Sequence, residues 1–416
     1  MLAIIGLPRG DDVSTVDTLA VLFHLLTAAS IFLLVLPKAV GIILSLALVC
    51  RVLLVFWDTH MRDFHVLLHS GSDTEGYYAS ALLVSSDLSL LGEPVYGGSF
   101  SKLMGLFFYL VGPLRSFAQY TNALMGVTVL LIAYKLLAEQ LELKKSIVNK
   151  LMVLGAVMPN WAILSSLFLR ESLIALLITV SVAYFVAWLL NGTFSRFFLA
   201  VTFALMATVF HSGMIAVAFG YILVASVYQR RHRKFRVGAS TLGYLFLLVP
   251  AVVFVVWKYP ELFLGKFSSL ESAEDLIATV NSTRGGSAYL TSMNAENVGQ
   301  LIAFAPVRAL YFLAAPMPWD WRGLNDAFMA FSDSSFYVGA FYFAFKNRHL
   351  AGGNRTLIAS LIVVILVVSM LFGVGVSNTG TALRHRYKVS SFFLVVYALA
   401  FERRRRRDAT LASSCG

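Results

Sequence analysis

Two carboxylates, Asp73 and Glu75, and two phenols, Tyr77 and Tyr78, fall within LHSGSDTEGYYAS at Leu68–Ser80, a polar island in a chain that is otherwise nearly all apolar. Carboxylates at that spacing have two chemical uses. They could hold a divalent cation through hard oxygen ligands, or one of them could take the proton from an attacking hydroxyl as a general base. No second acidic cluster of clear spacing accompanies the pair, so a metal site does not follow from it. A solvated loop is the plainer alternative, and Asp87 and Glu93 read as ordinary loop charges.

Four other groups carry functional chemistry. Arg170-Glu171 stands where one apolar run ends and the next begins; ionisable groups at membrane depth are costly, and a planar, permanently charged guanidinium suits bidentate contact with phosphate oxygens. A helix–helix turn with an interfacial arginine is the alternative. His211, in Phe210-His211-Ser212-Gly213, lies where two short apolar runs meet. It suits a structural hydrogen bond or the orientation of a hydroxyl or diphosphate. The stretch SNTGTALRHRYK carries Asn378, Arg384, His385, Arg386 and Lys388 between the last two apolar runs. Orientation places it on the side where positive charge is normally depleted, so its cations are expected to face outward toward a polyanionic head group. Trp319, Asp320 and Trp321, in PMPWDWRGLND, form either a rim that stacks on sugar rings or an interfacial aromatic belt.

The elements that must position these groups follow from composition. The chain has 416 residues, 58% hydrophobic and only 13% charged, whereas a soluble domain carries about 25% charged residues. The expected fold is all-α: a polytopic bundle of about eleven transmembrane helices, each about 20 residues, with outer loops and short surface helices. One integral membrane domain is expected over 1–416. Within it, 58–116 is an outer loop with a surface helix, 258–326 a second outer loop region, and 402–416 a basic cytoplasmic tail. The stretch Lys102–Val111 is too short to span and reads as a helix on the surface. Expected spans include Thr241–Trp257 and Ala327–Phe345; Leu301–Ala315 is counted as re-entrant or peripheral.

Much of the net charge of +11 resides in two runs, Arg230, Arg231, Arg233, Lys234, Arg236 and Arg403–Arg407. Such runs report orientation, with the N-terminus outside and the C-terminus cytoplasmic, and no soluble fold accompanies them that would point to nucleic acid. On that orientation the five polar groups above share the outer side. Cys50 and Cys415 make neither a disulfide framework nor a metal site. The N-terminal stretch MLAIIGLPRGDD lacks a positive region ahead of an apolar core, which argues against a cleaved signal peptide.

The order of these elements carries a family resemblance. The D-x-x-x-Y of Asp73 and Tyr77, followed by a short helix ending in Gly-Pro at Phe107–Pro113, resembles the start of multispanning, lipid-carrier-dependent glycosyltransferases of the GT-C type. Pro159-Asn160-Trp161, then Ser165-Ser166-x-x-x-Arg170-Glu171-Ser172, then Phe210-His211-Ser212, are similar to the exopolysaccharide and O-antigen polymerase families. The likeness covers most of Trp57–Tyr228 and, more loosely, the Met-Pro-Trp turn and Asn378–Arg386.

The resemblance implies a cell-envelope enzyme of polysaccharide biosynthesis in a bacterial plasma (inner) membrane, with a polyprenyl-linked saccharide, a glycan acceptor and membrane lipid as its partners. The phosphate would lie on Arg170 and the Arg384/Arg386 stretch, with Tyr77, Glu171, His211, Trp319 and Trp321 about the substrate. Asp73, with Glu75 beside it, would activate the acceptor hydroxyl. The chain departs from the family's paired acids by having Asp73-Thr74-Glu75, which leaves both a divalent cation and the identity of the base open. The competing class is a transporter or flippase of lipid-linked saccharide, for which internal repeats and ionisable groups near mid-membrane are expected; no repeat is visible.

Overall fold

The computed structural model describes residues 11–229, 272–282, 286–347 and 354–414, with short pieces at 234–236, 238, 241–243, 246, 250, 254 and 258. The expected span Thr241–Trp257, apart from isolated positions, the arginines at 230, 231 and 233, and the side chains of Arg403–Arg407 lie outside the described residues. What is described is all-α apart from one two-stranded hairpin, Tyr228–Gln229 with Lys234–Phe235.

In chain order the helices are α1 Asp11–Val35, α2 Lys38–His60, α3 Ser72–Ser86, α4 Ser99–Val111, α5 Arg115–Lys135, α6 Lys145–Val157, α7 Pro159–Ser166 and α8 Glu171–Asn191. There follow α9 Phe194–Phe210, α10 Ile215–Val227, α11 Ala273–Ser282, α12 Val298–Ala314, α13 Leu324–Met329, α14 Ser335–Lys346, α15 Asn354–Gly375, α16 Thr379–Lys388 and α17 Ser390–Ser414. Five stretches are long and apolar enough to cross a membrane, Ser14–Val35, Lys38–His60, Arg115–Gln140, Glu171–Asn191 and Asn354–Gly375. A sixth arises if α6 and α7, bent by 56° at Met158, count as one. Pro159 opens α7 at the break, where its missing N–H costs nothing and its ring bars continuation of α6. The described residues thus give five or six crossings where about eleven were expected; several predicted spans are helices of 10–17 residues.

Two compact units are distinguished, Met1–Leu131 with Met152–Leu176, and Ile132–Leu151 with Leu177–Gly416. In the first, α1 and α2 pack together, α7 packs on α2, and α3 packs along α4. Gly105 permits that last approach: a Cβ there would meet Val84 Cγ1 at 2.5 Å and the Ala81 carbonyl at 3.0 Å. The opposite face of α4 leaves Leu103, Leu106 and Leu110 exposed, the stripe expected of a helix lying along an apolar phase. In the second unit α12 and α10 pack on α15, and α14 packs on α17.

Two segments read from sequence as loops are helices. Asp73 and Glu75 occupy the first turn of α3, where carboxylates complement the positive end of the helix dipole; the Gly71 N–H donates to Thr74 Oγ1 at 3.0 Å to close that end. The cationic stretch after Asn378 is α16, capped where Asn378 Oδ1 accepts from the Thr381 N–H at 2.8 Å.

Candidate functional site

The polar chemistry of the first unit gathers around the opening turns of α3. Glu75 is gripped from both sides. Arg115 donates through Nη1 to Oε2 at 2.9 Å and through Nη2 to Oε1 at 2.6 Å, and Arg62 Nη1 also donates to Oε1. These guanidinium hydrogen bonds hold the carboxyl well below the usual carboxylate range, at about 2, against the opposing effect of partial burial. A carboxylate so stabilised is a weak base, and with both oxygens taken it is not disposed to hold a cation. Among the described residues no group of three or more His, Cys, Asp or Glu side chains is placed to hold a metal ion.

Asp58 extends the frame inward. It is 1% exposed, accepts from Ser70 Oγ at 2.6 Å and Gln119 Nε2 at 2.7 Å, and lies 3.8 Å from Arg115 Nη2. Asp17 of α1 fixes the start of α5, accepting the N–H groups of Ser116 and Phe117 at 2.8 Å each. The Arg115 guanidinium lies 4.8 Å over the Tyr78 ring. Two acids, Glu75 and Asp58, and the Tyr78 ring therefore converge on one arginine.

Asp73 is set differently. It is half-buried, and its Oδ1 accepts from the Tyr96 hydroxyl at 2.6 Å. Tyr77 is buried, and Arg170 lies 5.6 Å over its ring with Nε buried and without a hydrogen-bond partner. Glu171, buried, is the first residue of α8. His69 takes a left-handed backbone, φ 70°, with Nε2 at 3.0 Å from Asn160 Oδ1, one residue before the Ser70 that binds Asp58. The first unit thus brings together Asp73, Glu75, Tyr77 and Arg170.

In the second unit a different constellation surrounds α16. Arg386 is fully buried, contrary to its expected outward display: Nη1 donates to the carbonyls of Leu313 at 2.7 Å and Ala315 at 2.9 Å, and Nη2 lies 2.9 Å from Asp333 Oδ2. The Tyr337 ring faces the guanidinium at 5.3 Å. Asp333 belongs to a π-helical turn, Ala330–Ser334, that joins α13 to α14; such turns recur where a helix must redirect a side chain. Arg386 is therefore a structural cation of this unit, held by carbonyls and an acid.

His211 and His385 meet edge-to-face at 4.6 Å between ring centroids, with Phe372 beside both. Lys388, 1% exposed, places Nζ 2.9 Å from His385 Nδ1. Arg384 is half-buried on the same helix. Trp319 is 72% exposed, with its indole N–H donating to Tyr311 Oη at 2.8 Å, while Trp321 donates to the Pro316 carbonyl at 3.2 Å.

Sequence reasoning missed Arg62, Arg115, Asp58, Tyr96 and Asp333. Three of these had a signal: Asp58 ends an apolar run, Arg115 follows the Gly-Pro stop, and Asp333 lies inside the run Ala327–Phe345, where an acid is costly unless paired. Tyr96 had none.

These features define an all-α membrane protein with an arginine-clamped acid in one unit and a buried Arg–Asp pair in the other. Comparison with protein-family models, with curated proteins and with solved structures gives no match to this chain.

Proposed function

We propose that the protein is a membrane glycosyltransferase or polysaccharide polymerase. It moves a sugar or oligosaccharide from a polyprenyl phosphate or diphosphate to a glycan or lipid acceptor at the outer face of the plasma membrane, with its N-terminus outside and its C-terminus in the cytoplasm. The observation that carries this reading is the half-buried Asp73 in the first turn of α3, one helical turn before Tyr77, over whose ring Arg170 lies at 5.6 Å with its Nε buried without a hydrogen-bond partner. A base and a cation with donor capacity in one unit suit displacement at an anomeric carbon with a phosphate leaving group.

In that reaction the acceptor oxygen forms the new bond to the anomeric carbon and its proton passes to Asp73. The bond to the phosphate oxygen breaks, and the departing electron pair is stabilised by Arg170. Glu75 serves by holding Arg62 and Arg115 in place.

A transporter or flippase of lipid-linked saccharide is the second reading. It is favoured by Arg51 and Lys388, each 1% exposed, since buried ionisable groups in a membrane protein mark pathways. One experiment separates the two. Purified protein is given polyprenyl-linked saccharide, and released lipid phosphate and glycan size are measured for wild type, Asp73→Asn and Arg170→Ala. Turnover lost in both variants, with folding intact, supports the transferase; substrate bound but never cleaved hands the reading to the transporter.

A further inference from the structure

We infer that Tyr96 is the positioning residue for Asp73, fixing the carboxylate's rotamer for proton transfer; the inference rests on the transferase reading for its consequence and on geometry for its contact. The Tyr96 hydroxyl donates to Asp73 Oδ1 at 2.6 Å across 23 positions of sequence, the short distance typical of a hydroxyl on an ionised acceptor. The phenol is braced from two sides. Its ring covers Gly76, where an added Cβ would overlap it, and it lies 5.5 Å from the buried Tyr77 ring. The ring is itself 54% exposed, so the brace stands at the edge of the unit, where an acceptor can reach Asp73.

The neighbouring acid shows why such a brace is needed. Glu75, two residues on, is locked by two arginines; Asp73 lies on a different face of the same turn and accepts from a phenol. A phenol's hydrogen bond holds a carboxylate in place and favours its charged form. Gly76 is the sequence's accommodation of the phenol, since any side chain there would push the ring off Asp73.

The test reads Asp73 directly as well as through turnover. Carbodiimide labelling of Asp73, which requires the protonated carboxyl, is quantified by peptide mass spectrometry against pH in wild type, Tyr96→Phe and Gly76→Ala. In parallel the pH profile of kcat/KM is recorded on polyprenyl-linked saccharide. Tyr96→Phe leaves the ring and the charges of Arg62, Glu75, Arg115 and Arg170 in place and removes one donor. The labelling midpoint is expected to rise by about one pH unit, the acid limb of kcat/KM to move with it, and kcat to fall about tenfold or more. Gly76→Ala, with the hydroxyl intact and the ring displaced, should move both in the same direction. A labelling midpoint unchanged in Tyr96→Phe overturns the inference, as does an active variant with an unmoved acid limb and unchanged kcat. A shifted midpoint in a protein that turns over no lipid-linked saccharide upholds the Tyr96–Asp73 contact and sinks the transferase reading instead.

Discussion

The buried pair of Asp333 and Arg386 offers the sharpest test of the physical account. Both side chains are fully buried. In Asp333→Asn the guanidinium keeps its bonds to the Leu313 and Ala315 carbonyls and its place by the Tyr337 ring, but loses the charge 2.9 Å from Nη2. Removing one member of a buried pair costs about 3–5 kcal/mol, and the surviving contacts put this variant near the lower end, at about 3 kcal/mol. Arg386→Met should cost more, about 4–5 kcal/mol, because it takes the cation from the buried acid and also removes two charge-assisted bonds. Only Leu313 is orphaned by that change, since the Ala315 carbonyl still accepts from Ser334 Oγ at 2.7 Å. The double variant removes both charges and should recover about 2 kcal/mol relative to the sum of the singles. Reversible unfolding by dodecyl sulfate in mixed micelles measures all three. Strict additivity, or a loss below about 1 kcal/mol for Asp333→Asn, would refute the reasoning, because either result means that the pair is not desolvated together.

Two further outcomes follow from the first unit. Glu75 has a folded-state pKa lowered from 4.5 to about 2 by Arg115 and Arg62, so the stability it contributes is full above pH 4.5 and is lost as pH falls toward 2; Glu75→Gln should flatten the acid stability curve in that window. The effect should be about 1 kcal/mol, small because the side chain is 43% exposed and the pair is screened by solvent. Asp17→Ala removes the acceptor for two amides of α5 and should lower stability by about 1–2 kcal/mol in the same unfolding assay, whereas Asp17→Asn, which keeps an oxygen acceptor, should lose only part of that.

Legibility in the sequence followed physical range. Membrane character and all-α content are carried by local hydropathy, so the runs at Lys38–His60, Glu171–Asn191 and Asn354–Gly375 were readable as spans. The helix α4 was visible from its length and its Gly-Pro stop. The helical state of Ser72–Ser86 was not, because its polar face suggested a loop while its packing against α4 at Gly105 is a tertiary contact. Arg170 and Asp73 could be singled out by residue type alone. The partners that decide what each acid does lie 40 residues from Glu75, 23 from Asp73 and 53 from Arg386's acid, and no local pattern encodes those separations. The outward display expected of Arg386 failed for that reason: the charge rule sees a cation in a short connection, but not an acid held in a π-turn within Ala327–Phe345.

The contrast between Asp73 and Glu75 narrows the chemistry more than either residue does alone. Both occupy the first turn of one helix and both were candidates for proton transfer, yet their partners differ in kind. A base needs a proton affinity near the working pH, and two guanidinium groups push Glu75 far from it. Asp73 carries a phenol, a partner that orients without imposing a full charge. The arginines that disqualify Glu75 as a base are the ones it fixes at the opening turns of the helix that carries Asp73. Separating the two is then a matter of substitution: Glu75→Gln should weaken acceptor or donor binding through the arginines while leaving the pH limb of turnover with Asp73, and an acid limb that disappears with Glu75 instead would reverse the assignment.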